Sequence, residues 1–159
     1  MSRALVAVLL VLIVALGATA WWLARSRGQA GSATERDRAL STAKSAAPVI
    51  LSYNYRQLDK DIAAGRGRLT GRASTDYVQA MTRTIKPAAA KTHAVVQAQT
   101  DGAGVESVSA DGKQVTVLVF GEQKVTNTSL SQPRTDLFRL RLTLSLVGKR
   151  WLVSKLDPI

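Results

Sequence analysis

The segment Arg134–Val147, RTDLFRLRLTLSLV, decides how this chain has to fold. Phe138, Leu140, Leu142, Leu144 and Leu146 occupy every second position, with Arg139, Arg141, Thr143 and Ser145 between them. Successive side chains of a strand point to opposite faces, so this order predicts one buried apolar face and one polar face left to water or a partner. Working outward, period-two runs predict further strands at His93–Thr100, Val105–Ala110, Gln114–Val125 and Arg150–Leu156. Asp111-Gly112 and Gly148-Lys149 carry hairpin-turn chemistry between neighbouring runs. Asp101-Gly102-Ala103-Gly104 reads either as a loop or as a bulge that bends one long strand into two.

Before His93 the period lengthens to that of a helix. Leu40, Ala43, Ala47, Ile50, Leu51, Tyr55, Leu58 and Ile62 recur at steps of three and four, one face of an amphipathic helix. Pro48 removes a backbone donor and predicts a kink or division near Ala47, and the glycines of Ala63–Arg68, AAGRGR, predict the end. A second helix is expected from about Ser74 to Ile85, capped by Ser74, Thr75 or Asp76, with Tyr77, Ala80, Met81 and Ile85 inward. Lys86-Pro87 either closes it or joins a short third helix through AAAK. Helices over about 35–90 followed by consecutive antiparallel strands over about 93–157 define an α+β domain, 35–159, whose helices cover the apolar face of a curved sheet.

The N-terminus belongs to a different solvent. After a tail of residues 1–3, Ala4–Ala24 is uncharged throughout, and a bilayer core of about 30 Å needs roughly 20 apolar residues in a helix. Trp21 and Trp22 stand at the interface, just before Arg25 and Arg27. Ala18-Thr19-Ala20 admits the alternative of a cleaved signal peptide, but the apolar run continues past that site. Residues 25–34, including GQAGSAT at Gly28–Thr34, read as a linker. Flanking charge alone mildly favours a cytoplasmic body, yet that bias weakens before a whole folded domain. The expectation is a single-pass protein of the cell membrane with its C-terminal domain outside the cytoplasm.

The chain carries +11, and only Arg3 precedes residue 25, so the body holds +10. Its Lys and Arg are scattered and not interleaved with aromatics, which argues against nucleic acid and for an anionic surface beside the membrane. There is no cysteine and one histidine, His93, expected at the start of a strand on the surface. Asp59 and Asp61 are two apart on a helix and point roughly 200° away from each other, so they share no proton. Tyr53, Tyr55 and Tyr77 are expected to pack between helices and sheet. The glycines of 102–104 lack the strand-to-helix setting of a phosphate loop. No catalytic, cofactor or metal site is predicted, and the expectation is a protein that is not an enzyme.

LSYNYRQLDKDI at Leu51–Ile62, RLTG at Arg68–Gly71, Tyr77, IKPAA at Ile85–Ala89, GVESVSADG at Gly104–Gly112, VTVLVFGEQKVTN at Val115–Asn127 and the terminal GKRWLVSKLDPI, behind the apolar run, together resemble the Mce-associated membrane proteins. These are small single-pass actinobacterial proteins whose genes accompany Mce lipid-import systems. In similar sequences a Phe commonly follows RLTG, where Arg72-Ala73 stands here. The resemblance implies a nuclear transport factor 2-like, cystatin-like cone and a non-enzymatic accessory of an Mce-type lipid or sterol import complex, with its transporter subunits as partners. Scaffold subunits of secretion or conjugation machines share this anchor-plus-cone layout and form the alternative, and a ligand-binding or enzymatic cone is a third. The candidate docking face is the polar side of the decisive strand: Arg139, Arg141, Thr143 and Ser145.

Overall fold

The computed structural model describes residues 33–159. The tail, the span Ala4–Ala24 and the linker up to residue 32 lie outside the described residues, and among the described residues no helix is long and apolar enough to cross a membrane. Residues 33 and 34, assigned above to the linker, are helical.

Four strands follow the predicted alternation, the runs His93–Thr100 and Val105–Ala110 merging into one, and a fifth, Tyr53–Asn54, lies in a stretch read above as helix. Strands β1 (Tyr53–Asn54), β2 (Val95–Val108), β3 (Gln114–Thr126), β4 (Arg134–Val147) and β5 (Arg150–Pro158) pair antiparallel in the order β1-β2-β3-β4-β5. Leu140, Leu142 and Leu144 of β4 are buried against Val115, Val117 and Val119 of β3 and Trp151 and Val153 of β5. Phe138 and Leu146 close the two ends of this row, each partly buried. Asp101-Gly102-Ala103-Gly104 is a bulge and not a loop: β2 is continuous, with register shifts at Thr100/Gly102 and Val105/Ser107. Each extra residue turns the strand, which curves the sheet around its helices.

Helix α1, described over 33–51, lays Ala39, Ala43, Ala46, Ala47 and Ile50 on that apolar face. Small side chains let the helix backbone approach the leucine and valine rows closely. Pro48 does not divide the helix near Ala47; it sits inside it, and the chain leaves the helix only at Ser52. The proline frees the Lys44 carbonyl from its helical donor, and Thr100 Oγ1 donates to that carbonyl instead, at 3.3 Å. The break falls later because Tyr53 and Asn54 pair with Val96 and Val95, while Ser52 Oγ accepts the Ala98 N–H at 2.9 Å. Tertiary hydrogen bonds, not the proline, place the boundary.

After the break, α2 (Leu58–Arg66) turns Leu58 and Ile62 into a second apolar cluster with Met81, Ala89 and Ala94. Helix α3 (Gly71–Ala80) begins three residues earlier than predicted, with Thr70 as its cap residue and without a side-chain cap bond, so Ser74, Thr75 and Asp76 lie inside it. Ala80 is exposed and not inward. A π-helical turn, Met81–Ile85, joins α3 to α4 (Lys86–Thr92), so Lys86-Pro87 continues the helix. Pro87 has no N–H to complete the regular ladder there, and the wider turn absorbs the missing bond. His93 is the left-handed cap of α4, φ 52°, and not the first residue of a strand; its ring stacks on Tyr55 with centroids 4.8 Å apart.

Arg68–Gly71 has a role that local pattern does not reveal. Its backbone forms a parallel bridge with the free edge of β5: Val153 N–H donates to Arg68 O and Thr70 N–H to Val153 O, each at 2.9 Å. Leu69 is buried in the main core, and Gly71, at φ 57°, supplies the left-handed turn into α3 that a side chain disfavours. An exposed sheet edge is a template for association, and this segment covers it.

Candidate functional site

Two places on the domain have the geometry of a site: the outer face of the sheet and a cleft beside α3. On the outer face, Arg139, Arg141, Thr143 and Ser145 project from one side of β4, as alternation requires, but they are not equivalent. Arg141 grips Glu106 with both nitrogens, Nε to Oε2 at 2.9 Å and Nη2 to Oε1 at 3.0 Å. Glu106 lies in the second bulge of β2, so the pair reaches across β3. The fork-to-carboxylate geometry of this pair fixes Arg141 in place. Ser145 Oγ donates to Ser154 Oγ at 2.9 Å, and Ser154 Oγ donates to the Thr143 carbonyl at 3.1 Å. These polar groups already satisfy one another.

Arg139 differs. Among the described residues none pairs with its guanidinium, and it stands in register with Phe120 of β3. Phe120 is 51% exposed and its ring lies over Gly102, where an added Cβ would come within 2.4 Å of the ring. One step along β4, Leu137 is 79% exposed, in register with Glu122. Phe120 and Leu137 therefore form, with Arg139, an apolar and cationic patch beside the bonded Arg141, with Glu122 opposite Leu137. The sequence reading missed Phe120 and Leu137 although the parity of both strands marks them: each falls on the polar side of its alternation.

The cleft, about 510 Å³, opens between Ile50 of α1, Leu69, the face of α3 bearing Ala73 and Tyr77, and Leu156 of β5. Its floor is apolar. Its rim charges pair within their own elements, Arg72 with Asp76 at 3.2 Å and Lys155 with Asp157 at 2.8 Å. Tyr77 hangs over Gly65 of α2, whose missing side chain makes room for the phenol; this close approach, and not helix termination, is what Gly65 provides. The Tyr77 hydroxyl is buried without a hydrogen-bond partner, and burial, then the nearby Asp61 carboxylate, push its pKa up to about 12.

Asp59 and Asp61 do not meet. Asp59 pairs with Lys86, whereas Asp61 accepts the Asn54 N–H at 2.8 Å and the Gln57 side-chain amide at 3.1 Å and so holds the turn before α2. His93 is at the surface against Tyr55, and Tyr53 and Tyr55 pack on the second cluster. Among the described residues no group of three or more His, Asp or Glu is placed to hold a metal ion.

Solved structures carry the same fold at low identity. An IcmL-like type IV secretion system protein from Legionella pneumophila superposes with a TM-score of 0.65 at 12% identity, over 78% of this chain and 93% of that one. A periplasmic fragment of TraM gives 0.61 at 13%, over 77% and 95%, and the periplasmic domain of DotI gives 0.60 at 17%, over 76% and 91%. This chain thus shares with them the arrangement of helices packed on a five-stranded antiparallel sheet. In sequence, the uncharacterized protein Rv1362c of Mycobacterium tuberculosis is 29% identical over 97% of this chain and 70% of its own length. The outer membrane protein Rv1973 of the same organism is 29% identical over 80% and 78%. A profile of the uncharacterized Rv1363c/MT1408-like proteins matches residues 1–159, and the chain belongs to that family.

Proposed function

We propose that this protein is a non-enzymatic, membrane-tethered scaffold subunit of a multiprotein complex of the cell envelope, with its folded domain outside the cytoplasm. The observation that carries this reading is the Phe120–Leu137–Arg139 patch: two large apolar side chains kept in water beside a cation that no described residue pairs, on a face where Arg141 and Ser145 are already bonded. Such a patch fits a protein partner that brings apolar surface and a carboxylate. Tethering raises the local concentration of a weak docking contact.

The kind of complex is supported by the neighbours in fold, which are periplasmic or secretion-system domains, and a secretion or conjugation machine is the first reading. The relative named as an outer membrane protein agrees with an envelope location. The order of motifs from Leu51 to Ile159 favours a second reading, an accessory of an Mce-type lipid importer. Mild-detergent purification from the native host separates them: recovery of secretion or conjugation subunits supports the first, and recovery of Mce-type transporter subunits supports the second. Leu137→Ser with Arg139→Glu should weaken the recovery while thermal unfolding of the domain is unchanged. Unchanged recovery would remove the patch from consideration. With no native cysteine, a Ser129→Cys variant should react with an impermeant thiol reagent on intact cells; labelling only after lysis would put the domain in the cytoplasm.

A further inference from the structure

Four side chains make one block on the outer face of the sheet. Phe120 of β3 stands in register with Arg139 of β4, and the next outward pair along the two strands is Glu122 with Leu137. The apolar side chains thus hold one diagonal of the block, and the two opposite charges hold the other. All four are exposed. Glu122 and Arg139 are diagonal neighbours, yet among the described residues neither has an ion pair or a side-chain hydrogen bond. The nearest outward charges on the same two strands are Arg141, which Glu106 holds, and Lys124, which with Thr135 forms the following pair. On β2, Gln99 stands in register with Glu122, but its amide donates to Asp101 at 3.4 Å.

We infer that this block is a two-fold contact between copies of this chain. The inference rests on the reading of the patch as a docking surface and names its partner. Pairing identical surfaces face to face needs a two-fold axis lying in the interface, and the direction of that axis decides which side chains meet. An axis along the strands sets Glu122 over Leu137 and Arg139 over Phe120, and an axis across them sets Glu122 over Phe120 and Arg139 over Leu137. Both press a carboxylate onto an apolar side chain and leave it unpaired. An axis along the charged diagonal opposes Glu122 to Glu122 and Arg139 to Arg139. Only the axis through Phe120 and Leu137 stacks each apolar side chain on its own copy and brings Glu122 of each chain to Arg139 of the other. A strand spacing of about 4.8 Å and a two-residue repeat of about 6.8 Å put that axis roughly 35° from the strands, so the two sheets cross at roughly 70°, toward the orthogonal class of sheet packing. Four side chains are far fewer than the roughly 20 to 30 residues a side of a stable interface, so the contact is weak and gains from confinement to a membrane plane.

The chain has no native cysteine, so Leu137→Cys places a single thiol on the inferred axis. With the full chain in mild detergent, a short bifunctional thiol reagent should join Leu137→Cys to its own copy, whereas Thr143→Cys, on the same face but off the axis, should give little product. Adding Glu122→Arg or Arg139→Glu to Leu137→Cys should each abolish the product, because like charges then meet twice. Mixing those two variants, tagged to differ in size, should restore it as the mixed dimer alone, and both changes in one chain should restore the homodimer. Equal products from Leu137→Cys and Thr143→Cys, single variants that still cross-link, or loss without recovery in the mixture and in the doubly changed chain would overturn the inference. Recovery of envelope subunits with the Leu137→Ser, Arg139→Glu variant reports the docking reading separately. No cross-link with weakened recovery keeps the patch as a docking surface for another protein and rejects the second copy. A charge-dependent cross-link with unchanged recovery keeps the second copy and rejects the other partner at this face; neither effect rejects both.

Discussion

Strand β4 presents two faces made by one alternation, and they have opposite fates. Leu140, Leu142 and Leu144 are sealed under the alanine row of α1, whereas Leu137, two positions before Arg139, stands in water on the other side. The inner face shows what burial selects: aliphatic side chains of matched size, and no buried polar or charged side chain among the described residues. The outer face shows what remains when nothing covers a sheet. Arg141 bonds sideways to Glu106 and Ser145 to Ser154, while Phe120 and Leu137 stay exposed. A difference of one residue in register therefore separates a buried position from an exposed one.

The sharpest way to break this comparison is a pair of truncations on adjacent residues. Leu142→Ala should cost about 2 to 5 kcal/mol in denaturant unfolding of the domain, whereas Thr143→Ala should cost less than about 1. Equal losses would mean that the two faces are not divided as described. A second pair tests closeness instead of volume. A Cβ at Gly121 would lie 1.9 Å from the Gln99 carbonyl oxygen, but at Gly104 it would meet nothing within 4 Å. Gly121→Ala should therefore destabilise by about 1 to 3 kcal/mol and Gly104→Ala by less than about 0.5.

Tyr77 sharpens the comparison from the helical side, because its buried hydroxyl has no partner to lose. Tyr77→Phe should change stability by no more than about 1 kcal/mol, and in the stabilising direction. Its pH dependence has a defined sign. The folded pKa of about 12 lies above the ordinary 10.0, so the contribution is complete below pH 10.0 and is lost as pH rises through about 12. The Phe variant should lack that alkaline loss, and spectrophotometric titration of the parent should show one tyrosine ionising late. The smallest effect is expected at the Arg141–Glu106 pair, whose side chains are partly in solvent: Arg141→Gln should lower the denaturation midpoint only slightly, and less still in high salt.

Residues whose fate depends on near neighbours in sequence were readable. Val115, Val117 and Val119 repeat the period of β4, and both alternations survived in the fold. The division of the first helix was misplaced because it depends on Ala98 and Val95–Val96, more than 40 residues away, and not on Pro48. His93 was read as strand because the chain turns through a left-handed cap that only the packing of α4 and Tyr55 specifies. The docking face was half readable. The alternation located Arg139 and Arg141 on one side, but the two are chemically unlike because a bulge on β2 delivers Glu106 to one of them.

By itself the sequence determined a helical half followed by a sheet half, which residues of the main strands are apolar, the absence of cysteine and the strong positive charge. Those properties follow from composition and from periods of two and 3.6, which are set within a few residues. Only the tertiary structure decided that Arg68–Gly71 bridges to the edge of β5, that Gly65 makes room for Tyr77, and that Arg141 is paired while no described residue pairs with Arg139. Each of these depends on strand register and helix docking, which bring together residues distant in the chain, and no local period encodes which of two like side chains will find a partner.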